Sequence, residues 1–172
     1  MSDLLSKYPK EIRKILAKYP PERKRSAVMP LLFLAQLNEG FIQERALSEI
    51  GQILNLQETE VATLVGFYTL FHDQQGGSYR IQICTDLCCA LRGSEEFLTG
   101  LCEALEIKPG ETTRDGLVTI EEVKCLAACD KAPMYQVQGE AGISYHENCT
   151  VEGTLELISK WREVTPGQEE LK

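Results

Sequence analysis

Long hydrophobic runs are absent from this sequence. The chain has 172 residues, 43% of them hydrophobic, yet its longest apolar candidate, residues 31–37, is far shorter than the roughly 18 residues that a membrane span needs. The N-terminus lacks the basic and apolar regions of a secretory signal, and its early Asp3 and Glu11 do not suit an acid-poor transit peptide. We therefore expect a cytoplasmic protein that does not itself span a membrane.

Nucleotide-binding motifs are also absent. The sequence contains neither Gly-x-Gly-x-x-Gly nor a Walker motif, and Gly76-Gly77 lacks the context of a dinucleotide site. The chain is therefore not expected to bind a dinucleotide by itself.

Positive charge is scarce after the first 25 residues. Residues 1–25 carry eight Lys and Arg side chains, whereas the rest of the chain carries ten against 23 Asp and Glu. Because such an acidic chain repels a phosphate backbone, nucleic acid is not expected as a partner. The basic arm is predicted to be a solvated helix face, and docking against an acidic partner stays open.

The hydrophobic period changes once along the chain. Apolar residues recur at helical spacing up to Phe71, whereas Tyr79, Ile81 and Ile83 alternate with polar residues as in a strand. Between them, the glycine-containing stretch 74–78 reads as a linker and predicts a boundary. We assign residues 1–75 to an N-terminal helical region and residues 76–172 to a second domain.

The second domain has the predicted order β-α-β-β-α. Strands are expected before Cys84 and before Cys125, a hairpin is expected around residues 139–142, and a last helix is expected from Val151. A helix over residues 91–106 is predicted to bury one face, made of Leu91, Phe97, Leu98, Leu101, Cys102 and Leu105. This order predicts an α+β protein: an N-terminal helical bundle followed by a thioredoxin-like α/β domain with a small mixed sheet.

Seven cysteines in a protein expected to be cytoplasmic need a chemical reason. A reducing compartment disfavours structural disulfides, so clustered cysteines there favour metal binding or redox chemistry. Five of the seven form two tight groups, Cys84-Thr-Asp-Leu-Cys-Cys89 and Cys125-Leu-Ala-Ala-Cys129. Each group follows a predicted strand, and loops at the ends of adjacent strands can converge. Four thiolates are what a [2Fe–2S] cluster needs.

The spacing leaves two kinds of metal site open. Iron–sulfur ligation is favoured, and zinc is the main competitor, although zinc sites most often use Cys-x2-Cys pairs. A Rieske centre needs two His ligands, and the only histidines, His72 and His146, lie away from the cysteine groups. A dithiol oxidoreductase using Cys88–Cys89 or Cys125–Cys129 is a weaker alternative, because no Cys-x-x-Cys is present.

The cysteine-containing segments resemble a known family. The motif Cys84-x4-Cys89-Ala-Leu-Arg-Gly93, followed by Val123-Lys-Cys125-Leu-x2-Cys129-x3-Pro133, is similar to the 24 kDa subunits of NADH:quinone oxidoreductase, respiratory complex I. The resemblance spans most of residues 19–145. It implies a helical bundle followed by a thioredoxin-like domain that holds one [2Fe–2S] cluster.

Cys88 is a departure from the family pattern, which does not require cysteine there. Spacing alone allows Cys84 to pair with Cys88, but the family register places the ligand at Cys89. The resemblance therefore implies Cys84, Cys89, Cys125 and Cys129 as the iron ligands. Cys102 is expected in the core and Cys149 as a spare thiol.

The resemblance also implies partners and a role. A separate flavoprotein subunit, of the 51 kDa type, binds FMN and NADH, and this chain exchanges single electrons with that FMN within the peripheral arm of the complex. The chain is then part of an oxidoreductase without a substrate site of its own, peripheral to the membrane. Related subunits occur in NAD-linked hydrogenases and formate dehydrogenases, and a zinc-stabilised protein-binding module is the remaining alternative.

Overall fold

The N-terminal unit, Met1–Gln75, is helical. The computed structural model describes residues 3–139 and 142–164 of the chain. The helices of this unit are α1 (Asp3–Lys7), α2 (Pro9–Leu16), a 3-10 helix (Pro21–Ala27), α3 (Val28–Glu39), α4 (Glu44–Leu54) and α5 (Glu58–Phe67). Leu31, Leu32, Ile50 and Val61 are fully buried where these helices meet.

Local sequence signals set the helix ends in this unit. Pro30 lies in the first turn of α3, where its missing N–H costs no hydrogen bond. Gly40 and Asn55 adopt left-handed backbone, with φ of 77° and 56°, and end α3 and α4. The basic residues of α2 face solvent while Ile12 is buried, as expected for an amphipathic helix.

The C-terminal unit, Gly76–Lys172, contains one four-stranded sheet. Its elements are β1 (Tyr79–Cys84), α6 (Leu87–Ala90), α7 (Ser94–Leu105), β2 (Val118–Val123), a 3-10 turn (Cys129–Lys131), β3 (Tyr135–Gly139), β4 (Gly142–His146) and α8 (Val151–Val164). The strand order is β2-β1-β3-β4; β1 and β2 are parallel, and the other pairs are antiparallel. The predicted α+β class with a thioredoxin-like domain is confirmed.

One face of the sheet packs against helices. Ile81, Ile83, Ile120 and Val137 point to this face and pack with residues of α7 and α8, among them Leu101. Successive strand residues alternate between faces, so this apolar set follows directly from the period of two in the sequence.

The opposite face of the sheet carries a buried polar network. Gln82 is 1% exposed; its Nε2 donates to Glu121 at 2.8 Å, and its Oε1 accepts from Gln138 at 2.9 Å and from Gln136. Arg80 forms an ion pair with the same Glu121. Buried polar groups are costly unless they are hydrogen-bonded, and here each of them has a partner.

The predicted helix over residues 91–106 was wrong at its start. Gly93 has a left-handed φ of 88° and separates α6 from α7, which begins at Ser94. Leu91, which we expected to be buried, is 80% exposed because it lies outside the regular helix. Phe97, Leu98 and Leu101 are buried as predicted.

Residues 74–78, predicted as a linker, are partly held against β2. The Gly77 N–H donates to Thr119 Oγ1 at 2.7 Å, and a Cβ at Gly77 would lie 2.7 Å from the backbone of Leu117 and Val118. Only glycine allows this close approach to β2. Within the described ranges, no helix has the length and apolar character needed to cross a bilayer.

Asp115 ties the turn before β2 to α8. Its carboxylate accepts hydrogen bonds from Thr113 Oγ1, from the Leu117 N–H at 3.1 Å and from Arg162 Nε at 2.7 Å. Burial raises the pKa of this carboxyl, but these donors outweigh burial, so the pKa lies below its ordinary 3.8. A depressed pKa adds stability at neutral pH that is lost as the pH falls through the folded-state value.

We expect Asp115→Asn to lower the free energy of unfolding by about 1 kcal/mol at pH 7, since the carboxylate is only partly exposed and accepts several bonds. The difference between the two proteins should shrink as the pH falls below 3.8. Denaturant unfolding at pH 7 and at about pH 3 measures both. Glu103→Gln on the exposed face of α7 is the control, and an equal loss in that variant contradicts the assignment.

Candidate metal centre

The two cysteine groups begin at the same edge of the sheet. Cys84 is the last residue of β1, and Cys125 follows the end of β2. These strands are parallel, with Cys84 opposite Val123, so their carboxyl ends are adjacent. Loops 85–89 and 124–129 therefore start side by side.

The first loop turns one of its two adjacent cysteines inward. Asp86 caps α6 by accepting a hydrogen bond from the Leu87 N–H at 2.9 Å. Successive residues of a helix differ in direction by about 100°, so Cys88 and Cys89 point to different sides. Cys89 is 1% exposed, like Cys84, whereas Cys88 is exposed. The structure thus brings Cys89, and not Cys88, to the buried side of the loop.

The second loop contains non-glycine residues with left-handed backbone. Cys125 has a φ of 45° and Ala127 a φ of 59°, conformations that cost roughly 1–3 kcal/mol each. The N–H groups of Cys125 and Leu126, together with that of Asp86, donate hydrogen bonds to the Cys84 sulfur. Converging backbone N–H groups bind anions, so this loop stabilises negative charge on sulfur.

The cysteine sulfurs differ in how readily they ionise. Burial raises the pKa of Cys84, but the three N–H donors and the Cys89 thiol outweigh it, and the pKa is lowered. Burial, then the hydrogen bond and charge of Cys84, and then Cys129, raise the pKa of Cys89 to about 12. Without metal, one thiolate is therefore favoured and a second is opposed. A bound cation removes that opposition, because metal binding displaces the thiol protons.

Cys129 and Cys125 complete the group. The Cys89 sulfur also interacts with the Cys129 sulfur, and this contact acts to lower the pKa of Cys129. Burial, then the charges of Cys88, Cys125 and Cys84, raise the pKa of Cys129. The four sulfurs predicted as ligands are therefore electrostatic neighbours, and Cys88 lies at the solvent side of the same group.

Apolar side chains surround the buried sulfurs. Cys84 and Cys89 pack with Ala132 and Met134, and Leu126 lies at the edge of this cluster. Arg92 fixes the loop opposite, since its Nε donates to the Ala132 carbonyl at 3.2 Å. Apolar packing lowers the local dielectric constant around the sulfurs.

The other candidate residues lie apart from these loops. Cys102 is buried in the core beneath the sheet, as expected. Cys149 hydrogen-bonds with Tyr135, and His146 stacks on the same ring with centroids 4.9 Å apart. In the ranges that the structure describes, no three His, Cys, Asp or Glu side chains are grouped as ligands of a single ion. Two cysteines on each of two loops fit a cluster that takes two sulfurs per iron.

Comparison with known proteins identifies the family. The thioredoxin-like [2Fe-2S] ferredoxin family matches residues 12–162. The chain belongs to this family. NADH-quinone oxidoreductase subunit 2 of Thermus thermophilus is 38% identical over 147 residues, covering 86% of this chain and 79% of the relative. An NADH-quinone oxidoreductase subunit of Rhizobium meliloti is 41% identical over 152 residues, covering 88% of this chain and 87% of the relative.

A solved structure supports the same fold. An NAD+-reducing [NiFe]-hydrogenase in the air-oxidised state matches with a TM-score of 0.64 and 23% identity, over 79% of this chain and 23% of that chain. At this identity the match describes the fold alone. The resemblance to the 24 kDa subunit family is confirmed by the family match and by these relatives, which are named as subunits of NADH-quinone oxidoreductase.

The sequence analysis missed three polar residues beside the cysteine loops. Thr85 directly follows Cys84, Lys124 directly precedes Cys125, and Glu122 lies at the end of β2. Their side chains bond to one another across the two loops. Thr85 and Lys124 are each next to a cysteine in the sequence, and this position could have pointed to them. The contact between their side chains, however, depends on the pairing of β1 with β2.

We expect a maleimide reagent to label Cys88 and Cys125 first in the metal-free full chain, because both thiols are exposed. Cys84, Cys89 and Cys102 are buried and should react about tenfold more slowly or only after unfolding. Mass spectrometry of the labelled peptides measures the order. Labelling of Cys89 as fast as Cys88 contradicts the orientation of α6.

Proposed function

We propose that this chain is the electron-transfer subunit of an NADH:quinone oxidoreductase. It holds one [2Fe–2S] cluster through Cys84, Cys89, Cys125 and Cys129 and exchanges single electrons with the FMN of a partner flavoprotein. The observation that carries the proposal is the convergence of the two cysteine loops, with Cys89 rather than Cys88 turned toward Cys84.

The donor set fits such a cluster. The loops supply four thiols in two pairs, and three backbone N–H groups converge on the Cys84 sulfur. When bound, the cluster supplies one-electron transfer. The residues of this chain hold it, exclude water on the side of Met134 and Ala132, and stabilise its negative charge with backbone N–H groups.

The open side of the site supports docking of a redox partner. Cys125 is exposed, and so are Leu87 in the first loop, at 71%, and Leu91 just after it, at 80%. Exposed apolar side chains around a cofactor edge fit burial against another protein. We infer that the partner flavoprotein covers this side and that further subunits of the peripheral arm join it.

NADH and FMN belong to the partner in this proposal. NADH gives two electrons together, whereas this site takes one at a time, so a flavin has to separate them. The sequence of this chain has no nucleotide-binding motif that would hold either molecule. The chain is then located at the cytoplasmic side, peripheral to the membrane, through its complex.

The same role in an NAD-linked hydrogenase or a formate dehydrogenase is the second candidate. The family resemblance implies these complexes as well, and the hydrogenase structure shares the fold of this chain without assigning its role. Identifying the flavoprotein that co-purifies with the full chain, and its neighbours, separates these complexes. A zinc-stabilised binding module predicts a colourless protein with stoichiometric zinc after anaerobic preparation.

We expect the anaerobically purified chain to be red-brown and, once reduced, to give a [2Fe–2S] electron paramagnetic resonance signal. Replacing Cys84, Cys89, Cys125 or Cys129 with serine should lower the iron content by about tenfold or more, because each substitution removes a direct ligand. Iron analysis and the resonance signal measure the loss.

The controls are Cys88→Ser and Cys102→Ser, which should keep the iron content and the signal of the parent. Unchanged circular dichroism separates ligand loss from unfolding. Loss of the cluster in Cys88→Ser with retention in Cys89→Ser would overturn the ligand set in favour of the Cys84–Cys88 pair.

A further inference from the structure

Three polar side chains join the two cysteine loops. The Thr85 hydroxyl donates to Glu122 Oε1 at 2.6 Å and accepts a hydrogen bond from Lys124 Nζ at 2.9 Å. Lys124 also pairs directly with the same carboxylate oxygen of Glu122. A hydroxyl has one proton to donate and can accept as well, so Thr85 uses both capacities here.

This network adds side-chain bonds to the backbone pairing at the site. The Thr85 N–H already donates to the Val123 carbonyl at 3.1 Å, which continues the parallel ladder by one residue. Thr85 is 6% exposed, so its hydroxyl is held in place by packing. The side-chain bonds then fix the residue before Cys125 against the residue after Cys84.

The network also contains two opposite charges, one on Lys124 directly before Cys125 and one on Glu122 two residues earlier. Lys124 is the only Lys or Arg in the loops 85–89 and 124–129. Its side chain is 65% exposed and that of Glu122 is 44% exposed, so both are charged at neutral pH. Salt screens exposed charges, so we expect these two charges to have only a moderate electrostatic effect on a cluster held by the cysteines.

We propose that Thr85, Lys124 and Glu122 form a positioning network that holds the two cysteine loops together and tunes the reduction potential of the cluster by the balance of its two charges. This inference rests on the proposed function. Reduction adds negative charge at the cysteine site; the cation of Lys124 favours it, and the anion of Glu122 opposes it.

The two charge-removing variants should therefore move the potential in opposite directions. Lys124→Gln should make reduction harder and Glu122→Gln should make it easier, each by about threefold to tenfold in the equilibrium constant. For a one-electron couple this corresponds to about 30 to 60 mV. Redox titration of the full chain, followed by electron paramagnetic resonance, measures the shift.

Matched variants separate charge from structure. Lys124→Arg keeps the charge and should keep a potential near that of the parent. Lys160→Gln removes a charge from the exposed face of α8 and should shift the potential far less. Raising the salt concentration should reduce the shifts of Lys124→Gln and Glu122→Gln, since screening weakens exposed charges.

Thr85→Val tests the positioning role. It keeps the shape of the side chain and both charges but removes the hydroxyl link, so the cluster should be lost to an iron chelator several-fold faster. The second readout is the backbone amide at position 85, which should exchange hydrogen faster in the metal-free variant than in the metal-free parent. Thr85→Ser should restore both values.

The outcomes are separable. A parent chain that binds no iron overturns the proposed function and this inference together. The tuning role alone is overturned if the parent chain binds the cluster but Lys124→Gln and Glu122→Gln shift its potential in the same direction. It is also overturned if their shifts are no larger than that of Lys160→Gln. Parent-like chelator resistance and parent-like amide exchange in Thr85→Val overturn the positioning role.

Discussion

β1 and β2 run parallel, and their pairing with Cys84 opposite Val123 sets where both cysteine loops begin. A one-residue slip of this register would turn the apolar set of β2 to the other face of the sheet and would separate Cys125 from Cys84. The crossover through α7 holds the register, because its buried residues pack on the face that Ile81 and Ile120 occupy. The geometry of the cysteines is therefore a consequence of core packing.

The backbone of the cysteine loops is arranged to stabilise negative charge on sulfur. Left-handed backbone at Cys125 and Ala127 is unfavourable, yet N–H groups of this loop converge on the Cys84 sulfur. The pKa of Cys89 is raised partly because a second thiolate would lie next to the negative charge of Cys84. The metal-free site therefore resists a second thiolate. A bound cation relieves the crowding of negative charge, which links metal binding to folding.

Periodicity predicted most of the fold, and a resemblance predicted the chemistry. The alternation at residues 79–83 predicted β1, and helical spacing predicted the buried residues of α7. Leu91 was placed wrongly, because one left-handed glycine after it restarts the helix in a new direction. The buried network around Gln82 has no signal in local sequence, since alternation says which residues share a face but not what covers that face.

The amino-acid sequence by itself determined the two cysteine groups, their position after strands, and the absence of a nucleotide motif, because these are properties of residue type and spacing. Spacing could not choose between Cys88 and Cys89. The turn of α6 places Cys89 on the buried side and leaves Cys88 in solvent. Only the tertiary structure brought Thr85, Lys124 and Glu122 together, because contacts between residues nearly forty positions apart form through strand pairing and leave no local trace.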